Sequence, residues 1–254
     1  MEIKRRIKIL LLTFSPWSVY TPMGDTYSNI FRDLTDKFEF AHVYLNEKIP
    51  TEKNLCRISY CIPYNSIKLR NKLLYGLLLD RIFEGYLIYH TNWGRTDLYR
   101  FIDNFNPDIL FIGNIYGYLG NRIAFDIYKR YNIPIISYLW DDRFNHHNNN
   151  KIPINEYIKT SIEKRIRKKV INHSTIVYTI SPQMQEEYNR FFPSKCLVLN
   201  KMYDFSCLPQ IPLNQKGPIK VIYMGTLCNE RDQTLFEIIK ILEVLNREGV
   251  LIRP

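Results

Sequence analysis

The chain has 254 residues, of which 46% are hydrophobic and 24% are charged. Such a composition is typical of a globular protein and excludes a chain that is disordered throughout. Its net charge of +10 at pH 7 favours an anionic partner, such as a phosphorylated substrate, an acidic lipid headgroup or nucleic acid.

The sequence carries no pattern of membrane insertion, secretion or metal binding. The longest apolar run, residues 9–14, has the length of a strand, whereas a spanning helix needs about 20 apolar residues. The basic and apolar N-terminal stretch lacks a small-residue cleavage site, so no signal peptide is expected. Five cysteines without CxxC spacing indicate a reducing compartment and no zinc site. We therefore predict a cytoplasmic protein.

The first half of the chain alternates apolar, strand-like runs with helical periodicity. A loop at 15–24, which contains two prolines and Gly24, separates the first strand from the first helix. The predicted strands are 7–14, 39–45, 56–62 and 108–113, and the predicted helices are 25–37, 66–90, 96–105 and 119–131.

The second half continues this alternation as far as residue 199. Its predicted strands are 135–139, 175–180 and 195–199, and its predicted helices are 154–171 and 182–191. Ser181 and Pro182 are typical of a helix start, because Ser accepts from helix amides and Pro suits the first helical position. Residues 143–151, with His146 and His147, show no periodicity and are predicted to form a loop.

Residues 204–218, with three prolines, are predicted to be a linker between two domains. Residues 1–203 would form the first domain, and residues 219–254 would add one strand, a turn at Gly225 and one helix. Apolar strands that alternate with helices imply an α/β fold with a Rossmann-like, doubly wound, mostly parallel sheet. The second domain is expected to be Rossmann-like and incomplete.

Ligands of such sheets bind at the carboxyl ends of the strands, and this rule selects the polar residues that matter. Asp141 and Asp142 follow a predicted strand directly and are the candidate catalytic residues, since adjacent carboxylates can accept hydroxyl hydrogen bonds from a sugar, act as a base or bind a metal. Their alternative role is a helix cap or a pairing with Arg143. The candidate substrate-binding residues are Gly24, Asn114, Trp140 and Ser181.

Several of these positions also have a plainer interpretation. Gly24 would let a backbone amide approach a phosphate or sugar oxygen, or it serves only the turn. Ser181 is predicted to cap a helix rather than act as a nucleophile, because no G-x-S-x-G surrounds it. Gly225, Thr226 and Arg231 would hold a diphosphate through turn amides and a guanidinium group. Their alternative is a turn followed by an exposed arginine.

Five segments, taken in order, resemble the family-four glycosyltransferases of the GT-B fold, which have two Rossmann-like domains facing each other across a cleft. The segments that resemble the first domain are IKILLLTFSPWSVYTPMGDTYSNIFRDL, FNPDILFIGN, IPIISYLWDDRF and HSTIVYTISPQMQEEYNRFFPSKCLVLNKMYDF. The segment that resembles the start of the second domain is IKVIYMGTLCNERDQTLFEIIKIL. The resemblance covers nearly the whole chain and depends on the order and spacing of these segments.

The resemblance implies a division of roles between the domains. The first would bind the acceptor, with Gly24 near the reaction centre and Asp141 or Asp142 on the acceptor side. The second would bind a nucleotide-activated sugar, with Gly225 and Arg231 at the diphosphate. The paired glutamates that grip the donor sugar in this family have no place before the end of the sequence, so the transferase is expected to be incomplete.

The function that the resemblance implies is glycosyl transfer. A sugar would pass from a nucleotide-sugar donor to a hydroxyl of a glycan or lipid-linked acceptor in surface polysaccharide biosynthesis, with no metal and no cofactor besides the donor substrate. The alternative is a non-catalytic module that binds glycan, or a partner subunit that completes a cleft with another chain. Nucleic-acid binding is not expected, since no helix-turn-helix, zinc-finger or RNP motif accompanies the charge.

A basic helix suggests a further partner. Polybasic faces bind anionic lipid, which predicts peripheral contact with the inner face of the membrane, and the alternative is a solvated helix face. The residues concerned are Lys164, Arg165, Arg167, Lys168 and Lys169.

Overall fold

The computed structural model describes residues 5–18, 21–45, 55–62, 89, 94–113, 117–140, 154–193, 195–200 and 231–249. The chain divides into two compact units, Met1–Asp204 and Phe205–Pro254. The predicted linker at 204–218, the predicted strand after it and the helix predicted at 66–90, apart from Tyr89, lie outside the described residues.

The first unit contains a seven-stranded sheet in which every described pairing is parallel. The strands are β1 Ile7–Thr13, β2 Phe38–Tyr44, β3 Ser59–Cys61, β4 Ile109–Gly113, β5 Ile135–Leu139, β6 Ser174–Thr179 and β7 Cys196–Val198. Their order is β3-β2-β1-β4-β5-β6-β7, which is the strand order of the Rossmann fold with one strand added. The strand order reverses between β1 and β4, which makes this the switch point where such sheets bind ligands.

The described helices alternate with these strands. They are α1 Pro22–Phe31, α2 Arg95–Phe105, α3 Gly117–Tyr131, α4 Ile154–His173 and α5 Pro182–Phe191 in the first unit, and α6 Arg231–Arg247 in the second. A short 3-10 turn, Arg32–Leu34, follows α1. Each predicted strand and helix that falls within the described residues is present, and the largest displacement concerns α1.

The first helix begins at Pro22 rather than at Asp25, because Thr21 caps it. The Thr21 hydroxyl accepts a hydrogen bond from the Gly24 amide at 2.9 Å. Pro22 occupies the first helical position, where a missing N–H leaves no bond unmade. Gly24 therefore lies in the first turn of α1, and not in the loop before it as predicted.

Helices cover both faces of the sheet, so the predicted α/β, Rossmann-like, doubly wound fold is confirmed for the first unit. On one face the central strands share a core with α2, α3 and α4: Leu10, Leu12, Leu110, Ile102, Ile123 and Val170. On the other face they share a core with α1: Ile9, Leu11, Phe111, Tyr27 and Phe31. Alternate residues of β1 serve opposite faces, as the period of a strand requires, which explains its continuous apolar run.

The second unit is described at one helix, α6, and at the short turn that ends it. Several of its apolar side chains are exposed, namely Phe236, Ile238, Ile239, Ile241 and Val244. Across all described ranges of the chain, no helix has both the length and the apolar character needed to cross a membrane.

Candidate functional site at the carboxyl edge of the sheet

The central strands end at one level, and we call the edge formed by their carboxyl ends the crevice, because sheets of this kind bind ligands there. Thr13 of β1 pairs with Gly113 of β4, and Gly113 pairs with Tyr138 of β5. The chain continues from these ends into a loop after β1 and into Trp140 after β5. Three predicted site residues follow the same strands and lie outside the described residues: Asn114, Asp141 and Asp142.

The β1 side of the crevice, comprising residues 13–18 with Thr21, Gly24 and His42, is held by hydrogen bonds of its own. Three loop carbonyls accept backbone amides at 2.6–3.2 Å: Phe14 from Leu45, Trp17 from Leu55 and Ser18 from Thr21. Buried backbone groups are paired in almost all native structures. These bonds therefore fix the path of the loop over the ends of β1 and β2.

His42 of β2 is fully buried under this loop. Its Nε2 lies 2.7 Å from the Thr13 hydroxyl oxygen, and its Nδ1 lies 3.4 Å from the Trp17 amide nitrogen. The imidazole also packs on the ring of Tyr44, with the centroids 5.3 Å apart. One side chain thus connects the end of β1 with the loop that follows it.

Gly24 packs directly against the backbone of Ser18. A Cβ at Gly24 would lie 2.0 Å from the Ser18 carbonyl oxygen and 2.2 Å from the Ser18 nitrogen, so a larger residue requires the loop to move. The Gly24 amide donates to the Thr21 hydroxyl, and the Asp25 amide donates to the Thr21 carbonyl at 3.0 Å. The Gly24 amide that the sequence offers to a ligand is thus engaged within the protein.

The N-terminus of α1 is accordingly unsuited to a diphosphate. A Rossmann dinucleotide site holds its pyrophosphate on the amides of this helix start. Here the Thr21 hydroxyl takes the amide of Gly24, the Asp25 amide makes the first helical bond to the Thr21 carbonyl, and Pro22 has no amide hydrogen. Asp25 also places a carboxylate in the first turn, where it would repel a phosphate group.

The β5 side of the crevice, comprising Tyr27, Gly113, Tyr138 and Trp140, is aromatic. Tyr27 of α1 is fully buried, and a Cβ at Gly113 would lie 2.2 Å from its hydroxyl oxygen. Trp140 packs on Tyr27 and Tyr138, with ring centroids 5.3 and 5.4 Å apart. The glycine at the end of β4 therefore makes room for a ring that supports Trp140.

Trp140 is half-buried and combines ring surface with a hydrogen-bond donor. Its indole nitrogen is buried and has no acceptor among the described residues. A buried donor left without an acceptor costs about 1–3 kcal/mol, and the large majority of such groups in proteins are paired. Of the predicted site residues that the structure describes, Trp140 is the one with a buried side-chain polar atom that no described residue pairs.

Tyr138 anchors the same side of the crevice. Its hydroxyl donates to the Leu199 carbonyl at 3.0 Å. Burial raises the pKa of the Tyr138 phenol to about 12, so the group is a neutral donor at physiological pH. It ties β5 to the segment after β7 and holds the surface on which Trp140 rests.

Ser181 is the N-cap of α5, as the sequence predicts. Its hydroxyl accepts from the Met184 amide at 3.2 Å, and Pro182 follows in the first turn. Ser181 comes after β6, the neighbour of β5, so it lies at the same edge of the sheet as Trp140. Its side chain serves the helix start in this arrangement.

The predicted donor-side residues belong to the second unit. Gly225 and Thr226 lie outside the described residues, and Arg231 is the first residue of α6. No group of three His, Cys, Asp or Glu side chains suited to a metal ion occurs in the part of the chain that the structure describes.

The basic run of α4 does not share one surface. Arg167 is only 8% exposed, because it lies next to the buried side of the helix formed by Ile166 and Val170. It is therefore removed from the predicted membrane-facing cluster. Tyr157 and Ile158, at the start of the same helix, are exposed at 63% and 41%. The rest of the cluster consists of exposed Arg165, Lys168 and Lys169 and half-buried Lys164.

Sequence reasoning does not identify three residues that shape this edge: Thr13, Tyr27 and His42. His42 interrupts the apolar, buried end of β2, Ala41–Tyr44, and a polar residue in a buried run is the signal that could have identified it. Tyr27 gives no such signal, because a tyrosine on the buried face of a helix is common.

No protein-family model matches the chain, and no curated protein matches it. Among solved structures, the chain is similar to a short-chain dehydrogenase/reductase from Veillonella parvula. The two share 12% sequence identity with a TM-score of 0.34, and the match covers 70% of this chain and 73% of that chain. At these values the likeness carries no argument about function. The fold assignment depends instead on the strand order and the parallel register of the sheet.

Proposed function

We propose that this chain is the acceptor-binding part of a GT-B-type glycosyltransferase, which moves a sugar from a nucleotide-sugar donor to a hydroxyl of a glycan or lipid-linked acceptor. The observation that carries the proposal is the division of the carboxyl edge. Its β1 side is closed by the protein's own hydrogen bonds, whereas its β5 side presents Trp140. The order of the GT-B-like segments in the sequence supports the same function.

The closed β1 side argues against a dinucleotide on this sheet. A nicotinamide dinucleotide needs unengaged amides at the start of α1, and Thr21 takes the amides of Gly24 and Asp25. A GT-B enzyme places its nucleotide in the second domain, so its first sheet requires no such amides. A dehydrogenase function is therefore disfavoured on the geometry of α1.

The β5 side has the properties of a sugar contact. A half-buried indole offers an apolar ring face, on which the C–H face of a sugar ring can pack. The indole N–H has no described acceptor, and we propose that a sugar hydroxyl oxygen provides one. Tyr27 and Tyr138 pack against Trp140, so the ring loses little further side-chain freedom on binding. Asp141 and Asp142 follow Trp140 in the chain, and we propose that their carboxylates accept a hydrogen bond from the acceptor hydroxyl.

A lipid-linked acceptor would bring the protein to the cytoplasmic face of the membrane. The exposed face of α4 suits this position, since Arg165, Lys168 and Lys169 follow exposed Tyr157 and Ile158 on one helix. Each basic residue near an anionic surface contributes about 1 kcal/mol of attraction. Peripheral association through α4 is therefore part of the proposal.

Saturation-transfer NMR on the 254-residue chain tests acceptor binding. The panel contains short oligosaccharides, UDP- and GDP-sugars, NAD and NADP. We expect transfer to an oligosaccharide and none to NAD or NADP, and we expect Trp140→Ala to weaken oligosaccharide binding by at least about fivefold. Tyr157→Ala, which removes an exposed aromatic residue elsewhere, is the matched control and should bind normally.

Binding of NAD or NADP without binding of any oligosaccharide would contradict the proposal. Glycosyl transfer is measured separately, as release of UDP or GDP when donor and acceptor are both present. Oligosaccharide binding together with such release would favour the transferase over the non-catalytic glycan-binding module.

A further inference from the structure

His42 stands in the buried half of β2, between Ala41 and Val43, and is itself fully buried. A buried imidazole needs hydrogen-bond partners, and both of its nitrogens have one on the β1 side of the crevice. Nε2 faces the Thr13 hydroxyl at 2.7 Å, and Nδ1 faces the Trp17 amide at 3.4 Å. The imidazole thus spans the first four residues of the chain that leaves β1.

The hydrogen-bond partners of His42 determine which of its two ring nitrogens carries the proton. The Thr13 hydroxyl lies 2.6 Å from the Ser15 carbonyl oxygen, which can only accept, so the single hydroxyl proton points there. The Thr13 oxygen must then accept from Nε2–H of His42. At the other nitrogen, the Trp17 amide can only donate, so Nδ1 must be the acceptor. Both ends require the same neutral imidazole, protonated on Nε2.

The loop held in this way is also joined to α1. The Trp17 indole N–H donates to the Ser28 hydroxyl at 2.9 Å, and the Ser18 backbone packs against Gly24. Because the loop meets α1 at both points, its position sets that of the helix. The same helix carries Tyr27, whose ring packs against Trp140.

We infer that His42 is a positioning residue of the crevice, whose neutral Nε2–H imidazole fixes the loop after β1 and, through α1, the aromatic support of Trp140. The inference rests on the proposed function only for the identity of the ligand. The hydrogen-bond bridge itself is a property of the protein alone, so it can be tested without any ligand.

NMR of the uniformly ¹⁵N-labelled protein tests the bridge directly. Correlations between the imidazole nitrogens and the ring protons at neutral pH should show His42 as the Nε2–H tautomer. The exposed His173 provides a solvent-accessible reference in the same spectrum. An Nδ1–H tautomer or an imidazolium at His42 would overturn the inference.

Three variants separate the two ends of the bridge. His42→Asn offers an acceptor near the position of Nδ1, His42→Gln offers a donor near the position of Nε2, and His42→Phe fills the space with neither. Loss of one buried hydrogen bond should speed hydrogen exchange of the Trp17 amide about tenfold in the Gln and Phe variants. The Asn variant should restore slow exchange. Equal exchange in all variants and the parent would overturn the inference.

Oligosaccharide binding then separates positioning from mere stability. We expect His42→Phe to weaken binding about fivefold. The matched control is Ser174→Ala, which removes the buried Ser137–Ser174 hydrogen bond at the opposite end of the sheet and should bind normally. Unchanged binding in His42→Phe would overturn the inference. If the parent chain binds no oligosaccharide while the tautomer and exchange results hold, the proposed function fails and the bridge stands.

Discussion

Trp17 and Trp140 lie on the two sides of one sheet edge and differ in how their indole groups are used. Trp17 is 7% exposed, its indole donates to Ser28 at 2.9 Å, and its amide and carbonyl are both bonded. Trp140 is half-buried, and its indole nitrogen has no acceptor within the described ranges. The same residue type joins the loop to α1 on one side and has an indole N–H without a described acceptor on the other.

This difference indicates where a ligand is to be sought. Buried polar groups in proteins are almost always paired, and the Trp140 indole nitrogen has no acceptor within the described residues; we propose that a ligand supplies it. The two glycines follow the same division. Gly24 packs on the backbone of Ser18, whereas Gly113 packs on the end of the Tyr27 side chain. The β1 side is therefore scaffold, and the β5 side is where we propose recognition.

The largest effect is expected at Gly24. In Gly24→Ala the new methyl group would overlap the Ser18 carbonyl at 2.0 Å, and the loop is too well bonded to move aside. The free energy of unfolding should fall by about 3 kcal/mol or more. In Gly113→Ala the obstacle is a side-chain end that can shift, so a loss of about 1–3 kcal/mol is expected. Urea unfolding measures both, and equal losses would remove the distinction between the two sides.

The alkaline behaviour of Cys56 reports on the closed side, because Cys56 shares a core cluster with Trp17. Burial raises the pKa of its thiol from 9.0 to about 11. Between these values the unfolded chain loses the proton while the folded chain keeps it, so the free energy of unfolding falls as pH rises. This group alone should remove about 1.4 kcal/mol between pH 8 and pH 10.

Urea unfolding at pH 8, 9 and 10 measures the slope, with Cys56→Ala as the control that lacks the thiol. The parent should lose more stability than the control over this range. Parallel slopes would mean that the thiol is not buried as the structure places it, and that the β1 side is open to solvent.

Replacing each tryptophan by phenylalanine, which lacks the indole N–H donor, distinguishes the roles of Trp17 and Trp140. Trp140→Phe keeps a ring and removes the donor, so oligosaccharide binding should weaken about fivefold to tenfold. Its free energy of unfolding should not fall through a lost hydrogen bond, since no described residue accepts one. Trp17→Phe should show the reverse, with a loss of about 1 kcal/mol of stability and little change in binding. A reversed pattern would exchange the roles of the two sides.

The smallest effect is expected on a surface that belongs to neither side. Lys168→Gln on the exposed face of α4 should weaken binding to vesicles of anionic phospholipid about fivefold, as expected for about 1 kcal/mol per basic residue. Arg100→Gln, an exposed basic residue on α2, is the control. Vesicle sedimentation measures both, and an equal decrease would mean that attraction follows net charge rather than the α4 face.

The sheet could be predicted from the sequence because its central strands are buried on both faces and appear as continuous apolar runs. The start of α5 was predictable from Ser181-Pro182. The same chemistry at Thr21-Pro22 sets the start of α1, but the helical periodicity becomes clear only further along, at Tyr27 and Phe31. The sequence pattern therefore places the cap residue Thr21 and Gly24 in the loop before the helix.

The site was less predictable, because its geometry depends on pairs distant in sequence. His42 bonds with Thr13 across neighbouring strands, and Gly113 makes room for Tyr27 across the switch point. Neither contact follows from local pattern. The burial of Arg167 could have been predicted from the sequence. Arg167 lies three residues before Val170 and four before Ile171, and a helix places residues at these spacings on the same side.

An NMR titration of the indole N–H groups tests the central claim most directly. The chain has three tryptophans, so three indole signals can be assigned by single substitutions to Phe. When an oligosaccharide is added, the Trp140 signal should move downfield as its N–H gains an acceptor, and the Trp17 signal should stay in place. A titration in which NAD moves these signals and no oligosaccharide does, or in which Trp17 responds and Trp140 does not, would contradict an acceptor site on the β5 side.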